Sequence, residues 1–254
     1  MSVDLVVVAE AWCGLPTAAH HLMPHVALDR QILWVDAGVL STAAGALSAR
    51  PSPEPGDGLH PAPFEVISSL PPLPRAGHLA CVTDPQRSVR LINAAARRAG
   101  IHQPVLWLAS PAGQRLIGHL DESAVIYHHL HGADPADESV RALADRADLV
   151  VAPSPAAASA LAPEKSCIVA DGVSQELIAT PAQPAPALPS DHPVAGFHGR
   201  IDSSFDVELL TAVAERLPQW QFLLIGPVAA DAPTLPDLPN VVVAGPRPHA
   251  ELPR

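Results

Sequence analysis

The sequence is poor in cysteine, in aromatic side chains and in positive charge, and each shortage excludes a class of protein. Its three cysteines, Cys13, Cys81 and Cys167, lie far apart and form no C-x-x-C pair. A disulfide framework is therefore not expected, and a reducing cytoplasm is the simplest location. Aromatic residues make up 4% of the chain, and 15 Lys and Arg against 26 Asp and Glu give a net charge of −11. We expect no nucleic-acid partner, because such partners require clustered cations and stacking platforms.

Long apolar runs are also absent. None reaches the roughly 18–20 residues that a membrane-spanning helix needs, and the apolar run at 5–9 is too short for the core of a signal peptide. We expect a cytoplasmic protein, for which a place at the inner face of the membrane and peripheral association with it remain open. A hydrophobic fraction of 48% with only 16% charged residues excludes a disordered chain.

Short runs rich in Val and Ile recur along the chain. They predict strands at 3–9, 32–35, 78–82, 105–108, 124–127, 148–152 and 167–170. Helical periodicity separates several of them, at 86–99 and at 137–147, and Ser154 followed by Pro155 predicts a further helix start. This alternation predicts an α/β protein with a doubly wound sheet.

Proline divides the chain. Five of its 30 prolines lie in 180–193, which predicts a semi-rigid linker between a first domain at 1–179 and a second at 194–254. The second domain restarts the pattern with strands at 194–197, 220–225 and 240–243 and a helix at 205–217, before which Ser203 and Asp206 have capping-box spacing. A Rossmann-like domain usually needs more than roughly 100 residues, so we expect a C-terminally incomplete chain.

An anion site is predicted where the second domain begins. Gly199 and Arg200 follow the strand at 194–197 and precede a helix N-terminus, whose positive end and free N–H groups favour an anion. Arg200 adds charge-assisted hydrogen bonds, and Gly226, at the end of the next strand, allows close approach to the backbone. The residues indicate a phosphate-bearing ligand in a crevice between two domains; a turn with a surface charge is the alternative. Dinucleotide and P-loop glycine motifs are absent from the sequence.

The segments VAGFHGRIDSSFDVELLTAVAERLPQWQFLLIGPV (194–228) and LPNVVVAGPRPHAELPR (238–254) resemble the donor half of GT-B glycosyltransferases of the glycosyltransferase group 1 type. The likeness is to bacterial enzymes of cell-surface polysaccharide synthesis. Three parts of the first domain add to it: WCGLPT at 12–17 with HHL at 20–22, RADLVVAPS at 146–154, and DGV at 171–173. The resemblance covers most of the chain except 47–74.

The resemblance implies two Rossmann-like domains, the first binding a carbohydrate or lipid-linked acceptor and the second a nucleotide-diphosphate sugar. Gly199 and Arg200 match the loop under the donor diphosphate, Gly226 and Pro227 the loop near the nucleotide, and Gly14 a phosphate-approach loop after the first strand. Thr17 and Asp202 belong to the same motifs and are predicted to bind substrate. The chain departs from many relatives at Phe205, where they carry Lys. Arg200 would stabilise the leaving diphosphate, and no cofactor or metal is implied.

Histidines cluster at His128, His129 and His131, after a predicted strand. Such a tract could hold zinc, but successive strand residues point to opposite faces, so His128 and His129 are poorly placed to share an ion. We favour His128 or His131 as an acid–base group or sugar-binding residue in an acceptor cleft. For His20, His21 and His25 the preferred interpretation is partly buried residues that cap helices and loops.

The leading hypothesis is therefore a glycosyltransferase that moves a sugar from a nucleotide-diphosphate sugar to an acceptor hydroxyl, in cell-surface polysaccharide or glycolipid synthesis. An inactive remnant or a sugar- or nucleotide-binding module is the first alternative. A zinc-dependent hydrolase built on the histidine tract is the second.

Overall fold

The computed structural model describes residues 3–12, 17–40, 47–51, 64–69, 85–130, 133–173 and 192–247. The chain divides into two compact units, Met1–Gly172 and Val173–Arg254. The predicted strand at 78–82 and most of the predicted linker, 180–191, lie outside the described residues, so both remain predictions.

The first unit is built on an eight-stranded sheet. Its strands are β1 (Leu5–Ala9), β2 (Ile32–Asp36), β3 (Leu47–Pro51), β4 (Glu65–Ser69), β5 (Val105–Leu108), β6 (Ala124–His128), β7 (Leu149–Ala152) and β8 (Ser166–Ile168). Their order is β3-β4-β2-β1-β5-β6-β7-β8, and every pair is parallel except β3 with β4. The doubly wound α/β prediction is thereby confirmed for this unit.

Burial on both faces explains why these strands read as unbroken apolar runs. All five residues of β1 and all five of β2 are buried. Side chains of alternate residues enter two separate cores, one containing Val6 and Val8 and the other Leu5 and Val7. A central parallel strand needs apolar residues at both parities, because each face is covered.

The helices follow the expected capping chemistry. They are α1 (Ala18–Val26), α2 (Pro85–Arg98), α3 (Glu138–Arg146) and α4 (Pro155–Leu161), with 3-10 turns at Ala37–Leu40, Pro111–Leu116 and Pro163–Lys165. Ser154 caps α4 by accepting from the Ala157 N–H, with Pro155 in the first turn, as the sequence predicts. Asp137 caps α3 in the same way through the Ser139 N–H.

The second unit has a three-stranded parallel sheet and one long helix among its described residues. The strands are β9 (Val194–His198), β10 (Gln221–Ile225) and β11 (Val241–Gly245), in the order β11-β10-β9, and the helix is α5 (Val207–Arg216). The predicted capping box was wrong. Asp206 caps α5 by accepting from the Leu209 N–H, and the Ser203 hydroxyl instead donates to Asp231. The helix therefore starts two residues later than predicted.

Asn240 joins the end of α5 to the sheet. Its Nδ2 lies within hydrogen-bond distance of the carbonyl oxygens of Ala214, Leu217 and Trp220, at 3.0, 3.3 and 3.2 Å. The first two are carbonyls at the end of the helix that need a partner outside it. The Asn240 side chain thus provides a hydrogen-bond donor for the backbone carbonyls between the end of α5 and the start of β10.

We predict that Asn240→Ala lowers the free energy of unfolding of the second unit by about 2 kcal/mol, because it removes the Asn240 donor from the Ala214 and Trp220 carbonyls, whereas the Leu217 carbonyl keeps the Trp220 N–H. Thr211→Ala, which removes one bond to the Val207 carbonyl within α5 of the same unit, is the matched control and should cost less. Urea denaturation followed by circular dichroism measures both. Equal midpoints for the two variants would contradict the role given to Asn240.

Candidate functional site

Three glycines stand at the carboxyl ends of the strands in the second unit. Gly199 follows β9, Gly226 follows β10 and Gly245 ends β11, with φ values of 153°, 146° and 71°. The Gly199 N–H donates to the Ile225 carbonyl at 2.9 Å, and the Gly226 N–H donates to the Gly245 carbonyl at 3.0 Å. The three strand ends are therefore level and bonded to each other. Gly245 completes a row that the sequence motifs only partly identified.

Gly226 is required by its contact with Gly199. A Cβ at position 226 would overlap the carbonyl oxygen of Gly199. Besides the ligand approach predicted from the sequence, Gly226 thus has a second role, the close approach of two strand ends. Pro227 continues the contact by accepting a hydrogen bond from the Ile201 N–H at 3.0 Å.

Arg200 lies beside the glycine row and is available for a ligand. Its side chain is 59% exposed, and its Nε lies 3.6 Å from Asp202 Oδ2. An exposed pair at that distance contributes little to stability. Asp202 also accepts from the Ser204 hydroxyl and N–H, and these hydrogen bonds hold its pKa below the usual range. Arg200 can thus exchange Asp202 for a phosphate at small cost.

A cavity of about 460 Å³ opens beside Arg200, between α5 and the sheet. Its polar lining comes from Arg200, Ser204 and Asp206, and most of the rest is apolar. Phe205, which stands where many resembling proteins have Lys, lines it and makes an edge contact with Phe197, ring centroids 5.0 Å apart. This contact gives position 205 a packing role in this chain.

The N-terminus of α5 differs from the expectation of a free anion site. The carboxylate of Asp206 already accepts a helix N–H there. Because a capping carboxylate places negative charge at the helix start, a phosphate in the second unit would depend on Arg200 more than on the helix dipole.

His128 is the buried polar end of β6 in the first unit. It is 5% exposed, its ring lies edge-on to Trp107 at 5.6 Å, and its Nδ1 has no hydrogen-bond partner. Burial lowers the pKa of His128 to about 4, against the opposing effect of the Asp171 carboxylate. His128 is therefore a neutral imidazole at physiological pH, with one nitrogen uncommitted.

His129 points to the other side of the sheet. The Tyr127 hydroxyl lies 2.9 Å from its Nδ1, and Tyr127 belongs to the opposite core from Trp107. His128 and His129 thus lie on opposite faces of the sheet, as the strand alternation predicts. Among the residues that the structure describes, no three His, Cys, Asp or Glu side chains form a metal-binding group. His131 lies outside them.

Thr17 precedes α1 and is held by His20. The Thr17 N–H donates to His20 Nδ1 at 3.1 Å, the Thr17 hydroxyl lies 2.9 Å from the same nitrogen, and His20 Nε2 lies 3.2 Å from the Ala11 carbonyl. Because Nδ1 accepts the amide proton, Nε2 carries the ring proton and donates to Ala11. His20 caps this helix as expected but is fully buried, and burial lowers its pKa to about 4. His21 and His25 are exposed, and the predicted substrate residue Gly14 lies outside the described residues.

Asp36, at the end of β2, is a candidate that sequence reasoning missed. It is 3% exposed, and its Oδ1 accepts from the Trp12 N–H at 3.0 Å and from Trp34 Nε1 at 3.1 Å. Burial raises the pKa of Asp36 to about 6, against the lowering effect of those two hydrogen bonds. Asp36 and His128 lie at the same edge and on the same face of the sheet, since Trp34 and Trp107 share one core. A carboxylate directly after a buried strand was the available signal.

No family model and no curated protein matches the sequence. Solved structures do match. Anabaena HepE, in complex with UDP and glucose, is 16% identical over 99% of this chain and 71% of its own, with a TM-score of 0.63. Trehalose 6-phosphate synthase from Burkholderia multivorans is 12% identical over 99% and 75%, with a TM-score of 0.56. The catalytic domain of Arabidopsis thaliana starch synthase IV, bound to ADP and acarbose, is 11% identical over 91% and 69%, with a TM-score of 0.53.

These likenesses define the class of fold. The chain has the GT-B fold of two Rossmann-like domains, as the resemblance implied. The present chain spans about 70% of the length of these related proteins.

We predict that Gly226→Ala lowers the free energy of unfolding of the second unit by about 3 kcal/mol or more, because it adds a backbone clash to an unfavourable φ. Gly245→Ala is the control: it also has a positive φ but has no atom within 4 Å of the added Cβ. Thermal denaturation compares the two. A Gly226→Ala protein as stable as Gly245→Ala would refute the steric argument.

Proposed function

We propose that this protein is a glycosyltransferase that transfers a sugar from a nucleotide-diphosphate sugar to an acceptor hydroxyl. The observation that carries the proposal is the level row of Gly199, Gly226 and Gly245 with Arg200 beside it, on the fold that HepE has in complex with UDP and glucose. Ligands of open α/β sheets bind at the carboxyl ends of the strands.

In the proposed reaction, the bond between the anomeric carbon and the diphosphate oxygen breaks, and a bond to the acceptor oxygen forms. Negative charge grows on the leaving diphosphate, and Arg200 stabilises it after releasing Asp202. The acceptor hydroxyl loses its proton. His128 is our candidate base, because its imidazole is neutral and Nδ1 has no partner. Gly14, Thr17, His131, Asp202 and Pro227 are proposed to complete substrate binding.

The acceptor is proposed to be a carbohydrate or a lipid-linked carbohydrate of cell-surface polysaccharide or glycolipid synthesis. Such an acceptor fits a cytoplasmic protein that works at the inner face of the membrane through peripheral contact. Within the described part of the chain, no helix has the length and apolar character to cross a bilayer.

A sugar- or nucleotide-binding module, or an inactive remnant, is the second candidate. It is favoured by Phe205, which packs against Phe197 at a position where a cation would help to hold a diphosphate. Nucleotide binding without turnover would select this candidate. The zinc-hydrolase alternative draws no support from the described residues.

We predict that UDP or GDP raises the melting temperature of the protein, since a ligand that binds only the folded state stabilises it. Arg200→Ala should weaken nucleotide binding about tenfold or more, because it removes a charge-assisted contact. Arg216→Ala, an exposed arginine in the last turn of α5, is the control. A thermal shift that is the same in wild type and Arg200→Ala would exclude the diphosphate contact.

We predict that His128→Ala lowers turnover of the nucleotide sugar by about 10²–10⁴-fold, the usual contribution of a general base. Added imidazole should restore part of the rate by filling the space that the substitution leaves. Because the pKa of His128 is lowered to about 4, the protonated form appears only as pH falls toward 4, and the base remains available above that range. Full activity of His128→Ala without imidazole would remove His128 from the mechanism.

A further inference from the structure

Two buried titratable side chains, Asp36 and His20, form hydrogen bonds to the backbone near one short segment of the first unit. Asp36 accepts from the Trp12 N–H, and His20 bonds the Thr17 N–H and the Ala11 carbonyl. Burying such groups is costly when apolar residues would pack as well. The hydrogen bonds of these two side chains fix the backbone at Ala11 and Trp12 on one side and at Thr17 on the other.

The surrounding rings restrict movement further. Trp12 lies edge-on to Trp34 at 4.9 Å and to Phe64 at 5.1 Å, and the His20 ring is 5.3 Å from Trp12 and 4.8 Å from Trp34. Trp34 also donates to the same Asp36 oxygen that receives the Trp12 N–H. One aromatic cluster therefore contacts both polar side chains: Trp34 donates to Asp36 and lies against the His20 ring.

The held residues lie beside the carboxyl end of a central strand of the first unit, where ligands of open α/β sheets bind. Trp12 follows the carboxyl end of β1, and Thr17 stands directly before α1. Thr17 is among the predicted substrate-binding residues, and its hydroxyl and N–H both contact His20. A displacement of about 1 Å at a substrate-binding position is enough to reduce the rate of catalysis strongly.

We propose that Asp36 and His20 are positioning residues for the glycosyl-transfer site: they form a two-point clamp that presets Trp12 and Thr17 for the substrate. The inference rests on the proposed function. Neither side chain is assigned a contact with the reacting atoms; each acts through the backbone that it holds.

The clamp has a pH dependence of known sign. Among the described residues, Glu10 acts on Asp36 through its charge, and the titratable side chain of His20 contacts the Trp34 ring that donates to Asp36. His20, with its pKa lowered to about 4, stays neutral across the range in which Asp36 titrates. As pH falls through about 6, Asp36 gains a proton and becomes a weaker acceptor for the Trp12 N–H. The clamp is thus strongest above that pH.

The test compares conservative and disruptive substitutions in the 254-residue chain. Asp36→Asn and His20→Asn keep an acceptor for the Trp12 and Thr17 amides, whereas Asp36→Ala and His20→Leu remove it. We expect amide hydrogen exchange at Trp12 and Thr17 to rise at least tenfold in the disruptive variants only. We expect kcat/KM for hydrolysis of UDP-glucose or GDP-mannose to fall at least tenfold in the same two variants, with most of the activity kept in the conservative pair.

Ser88→Ala is the control for a merely structural loss. It removes another buried hydrogen bond, from the Ser88 hydroxyl to the Val39 carbonyl, and Val39 packs in the core on the opposite face of the sheet from Trp12 and Trp34. The pH profile adds a second readout: wild-type kcat/KM should decline as pH falls below about 6, and Asp36→Asn should lack that decline while keeping the one due to His128.

Four outcomes would overturn the inference. Exchange that is unchanged in Asp36→Ala and His20→Leu would show that there is no clamp. Raised exchange with kcat/KM no lower than in Ser88→Ala would show a structural role only, as would a decline near pH 6 that persists in Asp36→Asn. A wild-type chain that turns over no nucleotide sugar refutes the proposed function itself, and this inference with it.

Discussion

The carboxyl ends of neighbouring parallel strands lie level with one another, and this alignment determines which residues meet. Backbone bonds fix the ends of β9, β10 and β11 so that Gly199, Gly226 and Gly245 meet in one row. The same geometry in the first unit places Asp36 and His128 at one edge and on one face of a larger sheet. Residues far apart in sequence become neighbours because the sheet, and not local structure, determines where each strand stops.

Much of this fold could be predicted from the apolar runs. A strand covered on both faces has no polar alternation, so residues such as those of β1 and β10 are recognisable by composition alone. β4 was missed because it lies in a proline-rich stretch, and α1 because Pro24 and three histidines interrupt its apolar pattern. Ser203 and Asp206 are both good caps, and only tertiary contacts, here between Ser203 and Asp231, decide between them.

The candidate site was less predictable than the fold. The sequence identifies Gly199, Arg200 and Gly226, because they match the family motif and follow predicted strands of a parallel sheet, where ligands bind. Asp36 could not be identified in this way, since its role depends on a hydrogen bond from the Trp12 N–H, 24 residues earlier in the chain. The lowered pKa of His128 likewise arises from burial against Trp107, which no local pattern encodes. Long-range contacts and desolvation, rather than residue type, give these groups their chemistry.

The glycine row beside Arg200 is proposed to bind a nucleotide diphosphate. Titrating the isotope-labelled protein with UDP and GDP, followed by amide chemical shifts in NMR spectra, tests it most directly. We expect saturable shifts that are largest at Gly199, Arg200, Gly226 and Gly245. Binding that leaves those amides unmoved while perturbing another part of the chain, or no saturable shifts with either nucleotide, would contradict it.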